Sequence, residues 1–284
     1  MKRLGLRLLA VLLLSSAGAA PHAGVRVDDA VVRQALQDEL ARTMSELHLG
    51  DEPRPYYVAY TITDAQQENA SAAFGALTSA HAYEGRLLRT DLRVGSAAFD
   101  NTNFEPGAKV DALPMEDDYA TLRRELWLRT DEAYKTALEL YARKRAAAAG
   151  QANGDEASEV GDFSKEAPTR VEVPFPAGRP EAEALRAAVV KLSAVFRDFP
   201  EISGARVTGS YSVVRRRMAS SETAWIDDSS RATRIEVIAD AQADDGMKLR
   251  HFVPFSALEP SGLPPLPEME KAVRAMATEL TALR

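Results

Sequence analysis

The chain has 284 residues, which is enough for one large domain or two small ones, and its 45% hydrophobic and 27% charged residues are typical of a globular protein. The 35 Lys and Arg against 42 Asp and Glu give a net charge of −7, which excludes a general attraction to nucleic acid. Because there is no cysteine, a disulfide framework, a thiol nucleophile and a Cys-ligated zinc site are excluded as well.

Residues 1–20 have the layout of a secretory signal peptide, with an apolar run over 8–14 and small residues over 15–20. Three basic residues come before the apolar run: Lys2, Arg3 and Arg7. Cleavage is expected near Ala19 or Ala20, and the loss of three basic residues leaves 32 against 42, a charge of −10. The apolar run is far shorter than the roughly 20 residues of a spanning helix, so an uncleaved anchor is the weaker alternative. We therefore expect an exported, periplasmic or extracellular protein with no stable membrane span after cleavage.

A first α+β region is predicted over residues 27–149. It begins with an amphipathic helix over Val27–Leu47 and ends with a long helix over Asp117–Ala149, which Gly150 stops. Between the helices, β-branched and aromatic residues and an apolar–charged alternation predict strands. These strands cover 56–63, 72–80 and 87–94.

Residues 150–178 are rich in Gly, Asp, Glu, Ser and Pro without apolar periodicity, which predicts a polar linker or long loop. A second α+β region is predicted over 179–284. Pro180 lies near the start of its first helix, whose apolar stripe comprises Leu185, Val189, Leu192 and Phe196. Strands are predicted over 205–216, 217–226, 233–241 and 248–255, followed by a helix over Pro267–Leu283. Asp245-Gly246 between the last two strands predicts a type I′ hairpin turn.

These segments predict an α+β fold in which antiparallel sheets are flanked by amphipathic helices. Two halves, each with a helix followed by strands, are joined by the polar linker.

The histidines provide no local metal site, because no HExxH pair, HxH pair or His/Cys cluster is present. They are isolated at His22, His48, His81 and His251. An alternative is that one histidine acts as a general base, either His81 near Tyr83 or His251 beside Phe252. We predict no catalytic residue, no metal and no cofactor for this chain.

Charged runs have ordinary structural interpretations. Asp117-Asp118 lies where a helix begins and suits the positive end of its dipole, while Asp227-Asp228 and Asp244-Asp245 are expected at turns. The run Arg215-Arg216-Arg217 has two interpretations, a site for an acidic peptide or carboxylate and a solvated sheet edge.

Several phrases, taken as an ordered set, resemble the TldD/PmbA family, once called modulators of DNA gyrase and related to metallopeptidases. They are Arg54-Pro-Tyr-Tyr-Val-Ala-Tyr, Ala73-Phe-Gly-Ala-Leu, Leu92-Arg-Val-Gly, Ala98-Phe-Asp-Asn-Thr-Asn-Phe, Ala219-Ser-Ser-Glu-Thr and Ala243-Asp-Asp-Gly-Met. The resemblance covers residues 28–284 and is to the exported branch of the family. Active members carry a helical HExxxH metal motif and a further ligand in a C-terminal domain. This chain has no such motif and ends where that domain is expected, so the resemblance implies an N-terminal region without the catalytic half.

The first functional hypothesis is therefore a non-catalytic, exported protein that binds peptide segments at a sheet edge or assembles with a TldD/PmbA-like catalytic partner. Family position and strand phase indicate five wall positions for the ligand: Phe74, Phe99, Asn101, Asn103 and Arg216. The second hypothesis is a truncated or split metallopeptidase. The third is a stand-alone exported module whose ligand pocket is lined by aromatic residues, namely Tyr56, Tyr57, Tyr60 and Tyr83.

Overall fold

The structure is a computed structural model that describes residues 29–104, 109–151, 161–164, 166–173 and 182–284. The predicted signal peptide lies outside the described residues. Within them the helices are α1 (Asp29–Glu46), α2 (Tyr119–Gln151), α3 (Ala182–Ala194) and α4 (Leu266–Ala282). The strands are β1 (Pro55–Ala73), β2 (Ala76–Ser96), β3 (Phe99–Asp100), β4 (Lys109–Leu113), β5 (Arg170–Glu172), β6 (Ile202–Ser220), β7 (Trp225–Gln242) and β8 (Lys248–Ala257).

All four predicted helices are confirmed, each to within a few residues at its described ends. The Asp118 carboxylate accepts a hydrogen bond of 2.8 Å from the Thr121 N–H and caps the start of α2, as an Asp at this position does. In α4 the predicted apolar stripe is buried at Met269, Val273, Met276 and Leu280. Within the described residues, no helix combines the length and hydropathy needed to cross a bilayer.

The strands form one eight-stranded sheet in the order β3-β2-β1-β6-β7-β5, with β4 also on β2 and β8 also on β7. Every pairing is antiparallel except that between β5 and β7. The α+β class is confirmed. β5 lies within the predicted polar linker or long loop and pairs with β7, and nearby the Phe163 N–H donates to the Ala97 carbonyl, so parts of this segment are bonded to the rest of the fold.

Two predicted strand boundaries are wrong because the turns lie elsewhere. The predicted strand 72–80 crosses the β1–β2 hairpin, whose turn residues Phe74 and Gly75 both have positive φ, as a type I′ turn requires. The predicted break after Arg216 falls inside β6, which continues to Ser220. The turn at Asp245-Gly246 is confirmed in place, but positive φ is confined there to Gly246, which fits a three-residue loop rather than type I′.

Both hydrophobic cores lie on one face of this sheet. β6 shows why, since its odd-numbered residues are buried from Val207 to Ala219, and side chains alternate between the two faces of a strand. One end of the face packs against α1 and α2 through residues such as Tyr60 and Leu126. The other end packs against α3 and α4 through residues such as Val237 and Phe196.

Between the two cores the same face carries buried ion pairs, which we call the charge band. The Arg86 guanidinium donates to Asp64 at 2.6 Å and to Asp117 at 2.7 Å, and Arg217, which is 1% exposed, also donates to Asp64. Arg215 donates to Asp227 at 2.8 and 2.9 Å. Its remaining terminal nitrogen contacts Asp29 of α1 at 2.6 Å.

The charge band corrects two sequence interpretations. β6 lies between β1 and β7 rather than at an edge, and Arg215 and Arg217 are buried, so the arginine run is not a solvated edge. Asp227-Asp228 lies within β7 rather than at a turn. The two aspartates lie opposite Arg216 and Arg217 of the neighbouring strand β6. Arg216 and Asp228 form an ion pair on the exposed face of the sheet.

Candidate functional site

A groove of about 370 Å³ lies along the outer edge of β2, between the strand, α2 and residues 101–103. β4 pairs with β2 over 86–90 and β3 pairs with it over 95–96. Between them, none of the described strands covers β2. We call this space the edge groove.

Asn101 takes the place of a neighbouring strand at one end of the edge groove. Its side-chain oxygen accepts a hydrogen bond of 2.8 Å from the Val94 N–H, and its amide nitrogen donates to the Leu92 carbonyl at 3.2 Å. A side-chain amide carries both a donor and an acceptor, so it can imitate a backbone peptide group. Even-numbered residues of this stretch therefore direct their backbone polar groups to the outer edge, including the Leu92 N–H.

The loop that carries Asn101 is held by the buried carboxylate of Asp100 and the partly exposed carboxylate of Asp162. Asp100 accepts from the Tyr56 hydroxyl at 2.6 Å and from the Thr102 N–H at 2.7 Å, while its own N–H donates to Asp162. Burial and the hydrogen bond to Asp100 both raise the pKa of Tyr56, which stays a donor at neutral pH.

Asp162 ties the same loop to α2. Lys144 donates to the Asp162 carboxylate at 2.6 Å and to the Thr102 carbonyl at 2.7 Å. Burial alone would raise the pKa of Asp162, but hydrogen bonds from Lys144 and the Asp100 N–H outweigh it and lower the pKa below its ordinary value of 3.8. The described part of the predicted linker thus holds one wall of the groove in place.

Arg93 and Thr90 give the edge groove its polar character. The Arg93 guanidinium lies 3.5 Å from the Phe163 ring centroid and donates to Asp91. Burial would lower the pKa of Arg93, but Asp91 raises it, so the side chain is a permanent cation. Thr90 is 6% exposed, and its hydroxyl has no hydrogen-bond partner among the described groups. An unpaired hydroxyl is costly to bury, so the Thr90 hydroxyl is an unmet polar group within the wall of the groove.

The five sequence-predicted positions do not form one site. Asn101 and Asn103 line the edge groove. Phe99 lies nearby in β3, with its ring centroid 5.9 Å from that of Tyr141. Phe74 is at the β1–β2 turn, where its carbonyl accepts from Arg197 at 2.6 Å, and Arg216 lies on the opposite, open face of the sheet. A binding role remains a prediction for all five.

Sequence reasoning missed Thr90, Arg93, Thr136 of α2 and Phe163 as lining residues of the edge groove. Phe163 gave the strongest available signal, because it is one of only two aromatic residues in the polar segment 150–178. The lining positions on β2 and α2 depend on how the two elements pack, which periodicity alone does not reveal.

The predicted tyrosines are dispersed. Tyr60 is in the core, where its hydroxyl contacts Thr43 at 3.1 Å and Thr130 at 2.6 Å, and burial raises its pKa to about 12. Tyr83 is exposed on β2, and Tyr57 lies on the open sheet face. In the described part of the chain, no group of three or more His, Asp or Glu side chains is arranged as a metal site.

No protein-family model matches the chain, and neither does any curated protein. Solved structures do match it. TldE from Thermococcus kodakarensis is similar with a TM-score of 0.54 at 12% identity, covering 88% of this chain and 47% of TldE. A protein described as a putative modulator of DNA gyrase, from Bacteroides thetaiotaomicron, is similar with a TM-score of 0.52 at 8% identity. The match covers 89% of this chain and 48% of that protein.

The chain shares the fold of the matched part of TldE. The resemblance to the TldD/PmbA family that the sequence phrases predict is thereby confirmed at the level of fold. The chain spans about half the length of the solved structures it matches.

Proposed function

We propose that this protein is an exported, non-catalytic peptide-binding protein that takes up an extended segment as an added strand in the edge groove. The observation that carries the proposal is the stretch of β2 between its pairings with β4 and β3, which faces a walled groove. An extended peptide gains backbone hydrogen bonds at such an edge, and neighbouring walls select its side chains.

The walls fit a peptide of mixed character. Ala133, Ala137 and Leu140 of α2 offer an apolar surface to every second side chain of an added strand. Arg93 and Asn103 offer polar groups on the opposite side. Among the described residues, no strand pairs with the outer edge of β2 over 76–85 either, but this second stretch is largely exposed and no described element walls it as α2 walls the edge groove. The edge groove is therefore the proposed peptide-binding site. Binding along residues 76–85 is the alternative that the experiments must distinguish from it.

The test captures peptides from a random octapeptide pool on immobilised protein, identifies them by mass spectrometry, and measures the best one by fluorescence anisotropy. Thr136→Phe places a large ring in the groove and should weaken binding at least tenfold. Glu139→Phe adds the same ring to the exposed side of α2, outside the groove, and should bind as the parent does. Failure to capture any peptide, or equal binding by Thr136→Phe, would refute the proposal.

A second candidate is a split metallopeptidase in which this chain supplies a binding region and another polypeptide supplies catalysis. It is supported by coverage of about half of TldE and by the absence of an HExxxH motif from the sequence. Sequencing the DNA that follows the reading frame tests it directly. An adjacent frame encoding HExxxH would support this candidate, and unrelated sequence would remove it.

A further inference from the structure

A second cavity, of about 270 Å³, lies between α1, β5 and the loop that joins β6 to β7. Its polar lining comes from Arg33 and Gln37 of α1, Arg170 of β5, Ser220 at the end of β6 and Thr223 of the loop. All of these can donate hydrogen bonds, and among the described residues no carboxylate lines the cavity. Its apolar lining comes from Leu40, Ala219, Ala224 and Trp225.

The two arginines share one carboxylate. Arg33 donates to the two Glu172 oxygens at 3.2 and 3.3 Å, and Arg170 donates to one of them at 2.8 and 3.1 Å. Two guanidiniums carry two positive charges and up to ten N–H donors, whereas Glu172 supplies one negative charge. The pair therefore keeps a net positive charge and unused donors beside the cavity.

Trp225 gives a second, independent observation. The side chain is 6% exposed, and its indole N–H has no hydrogen-bond partner among the described residues. The Arg33 guanidinium carbon lies 4.1 Å from the ring centroid, and the Trp225 backbone N–H donates to Thr169 beside Arg170. A buried indole N–H normally has an acceptor, so Trp225 carries an unmet donor in the wall of the cavity, beside two arginines.

The loop itself is strained at the cavity. Thr223 has φ +62°, a left-handed conformation that costs energy for a β-branched residue, at the position where a three-residue hairpin loop favours glycine. Strain of this kind concentrates where loop geometry serves a site.

We propose that this cavity binds a carboxylate carried on a small apolar group. The carboxylate would lie against Arg33 and Arg170, and the apolar group would contact Leu40 and Ala224. Two sources supply this chemistry, the C-terminus of a peptide and a free short-chain organic acid. The site is separate from the edge groove, and its existence does not depend on the proposed function.

The experiment uses Trp225 as the reporter. The chain has two tryptophans, so Trp127→Phe leaves Trp225 as the only one. The emission of this variant is recorded while N-acetyl-Ala-Ala, its C-terminal amide, or butyrate is added at constant ionic strength. We expect a saturable change with at least one carboxylate and none with the amide, together with a rise in Tm at saturation. If butyrate binds about as tightly as N-acetyl-Ala-Ala does, the ligand is assigned as a free organic acid. If N-acetyl-Ala-Ala binds clearly more tightly than butyrate, the ligand is assigned as a peptide C-terminus.

Arg170→Ala should weaken carboxylate binding at least tenfold, since it removes a charged donor from an exposed strand. Arg250→Ala removes an exposed arginine from β8, away from the cavity, and should bind as the parent does. The inference is overturned if neither carboxylate changes the emission or Tm, if the amide binds equally well, or if Arg170→Ala binds unchanged.

Discussion

At the scale of single residues, three non-glycine positions among the described residues have positive φ, and they differ in backbone strain. They are Phe74, Asn103 and Thr223. Asparagine tolerates the left-handed region, so Asn103 at φ +57° carries little strain. Phenylalanine and threonine do not, and their side chains are retained at two hairpin turns in spite of that cost. The sequence indicated neither position, because each occurs where glycine or asparagine is the usual turn residue.

Thr223→Gly should raise the free energy of unfolding by about 1 kcal/mol, because relief of left-handed strain exceeds the extra entropy of a glycine in the unfolded chain. Urea denaturation measures the change. Ala224→Gly is the control in the same loop; Ala224 does not have positive φ, so this variant should lose stability. A loss of stability in Thr223→Gly would contradict the strain argument.

Still at the residue scale, Arg215 to Arg217 are alternately buried and exposed along β6. Their sequence could not distinguish these environments, because an arginine on the buried face requires carboxylates at matching register on neighbouring strands. Asp64 on β1 and Asp227 on β7 are those carboxylates, and their pairing becomes visible only in the sheet.

Asp64→Ala should lower the free energy of unfolding by about 3–5 kcal/mol, since it leaves the buried guanidiniums of Arg86 and Arg217 without this carboxylate. Asp228→Ala, which removes the exposed partner of Arg216, should cost at most about 1 kcal/mol. Denaturation midpoints of the two variants provide the comparison. Equal losses would show that burial does not determine the contribution of these pairs.

At the scale of elements, the helices were predictable because their apolar periodicity is local, as the stripe of α4 shows. The strands were less predictable. β1 and β6 are each 19 residues long and include polar stretches, and whether these are buried depends on the neighbouring strands and helices rather than on local sequence. The packing of residues 161–164 was not predicted for the same reason, because it depends on contacts with the 97–103 loop and with Lys144.

Asp162→Asn should destabilise the protein at pH 7, because the carboxylate accepts hydrogen bonds from Lys144 and the Asp100 N–H. The pKa of Asp162 is lower in the folded protein, so its contribution is complete above the ordinary value of 3.8 and is lost as the pH falls through the folded-state pKa. The difference from the parent in chemical denaturation should therefore shrink between pH 7 and about pH 3. A difference that stays constant over this range would rule out the ionic role.

At the scale of the molecule, β1, β6 and β7 run through both hydrophobic cores, so the two predicted halves share one sheet. Sequence phrases predicted the TldD/PmbA-like fold and suggested Asn101 and Asn103 as ligand-binding positions, which stays a prediction, but they did not predict the groove that these two residues line. The groove exists because α2 lies along the part of β2 left between β4 and β3, an arrangement set by tertiary packing.

Amide hydrogen exchange, with the captured peptide bound, tests the peptide-binding account most directly. Added-strand pairing should slow exchange at the Leu92 N–H, the outer-edge amide that neither Asn101 nor β4 covers, and in the 101–103 loop, while residues 76–85 exchange as they do without peptide. The parent should show this protection and Thr136→Phe should lack it. Protection confined to 76–85, or none in β2 at a peptide concentration that saturates binding, would contradict the account.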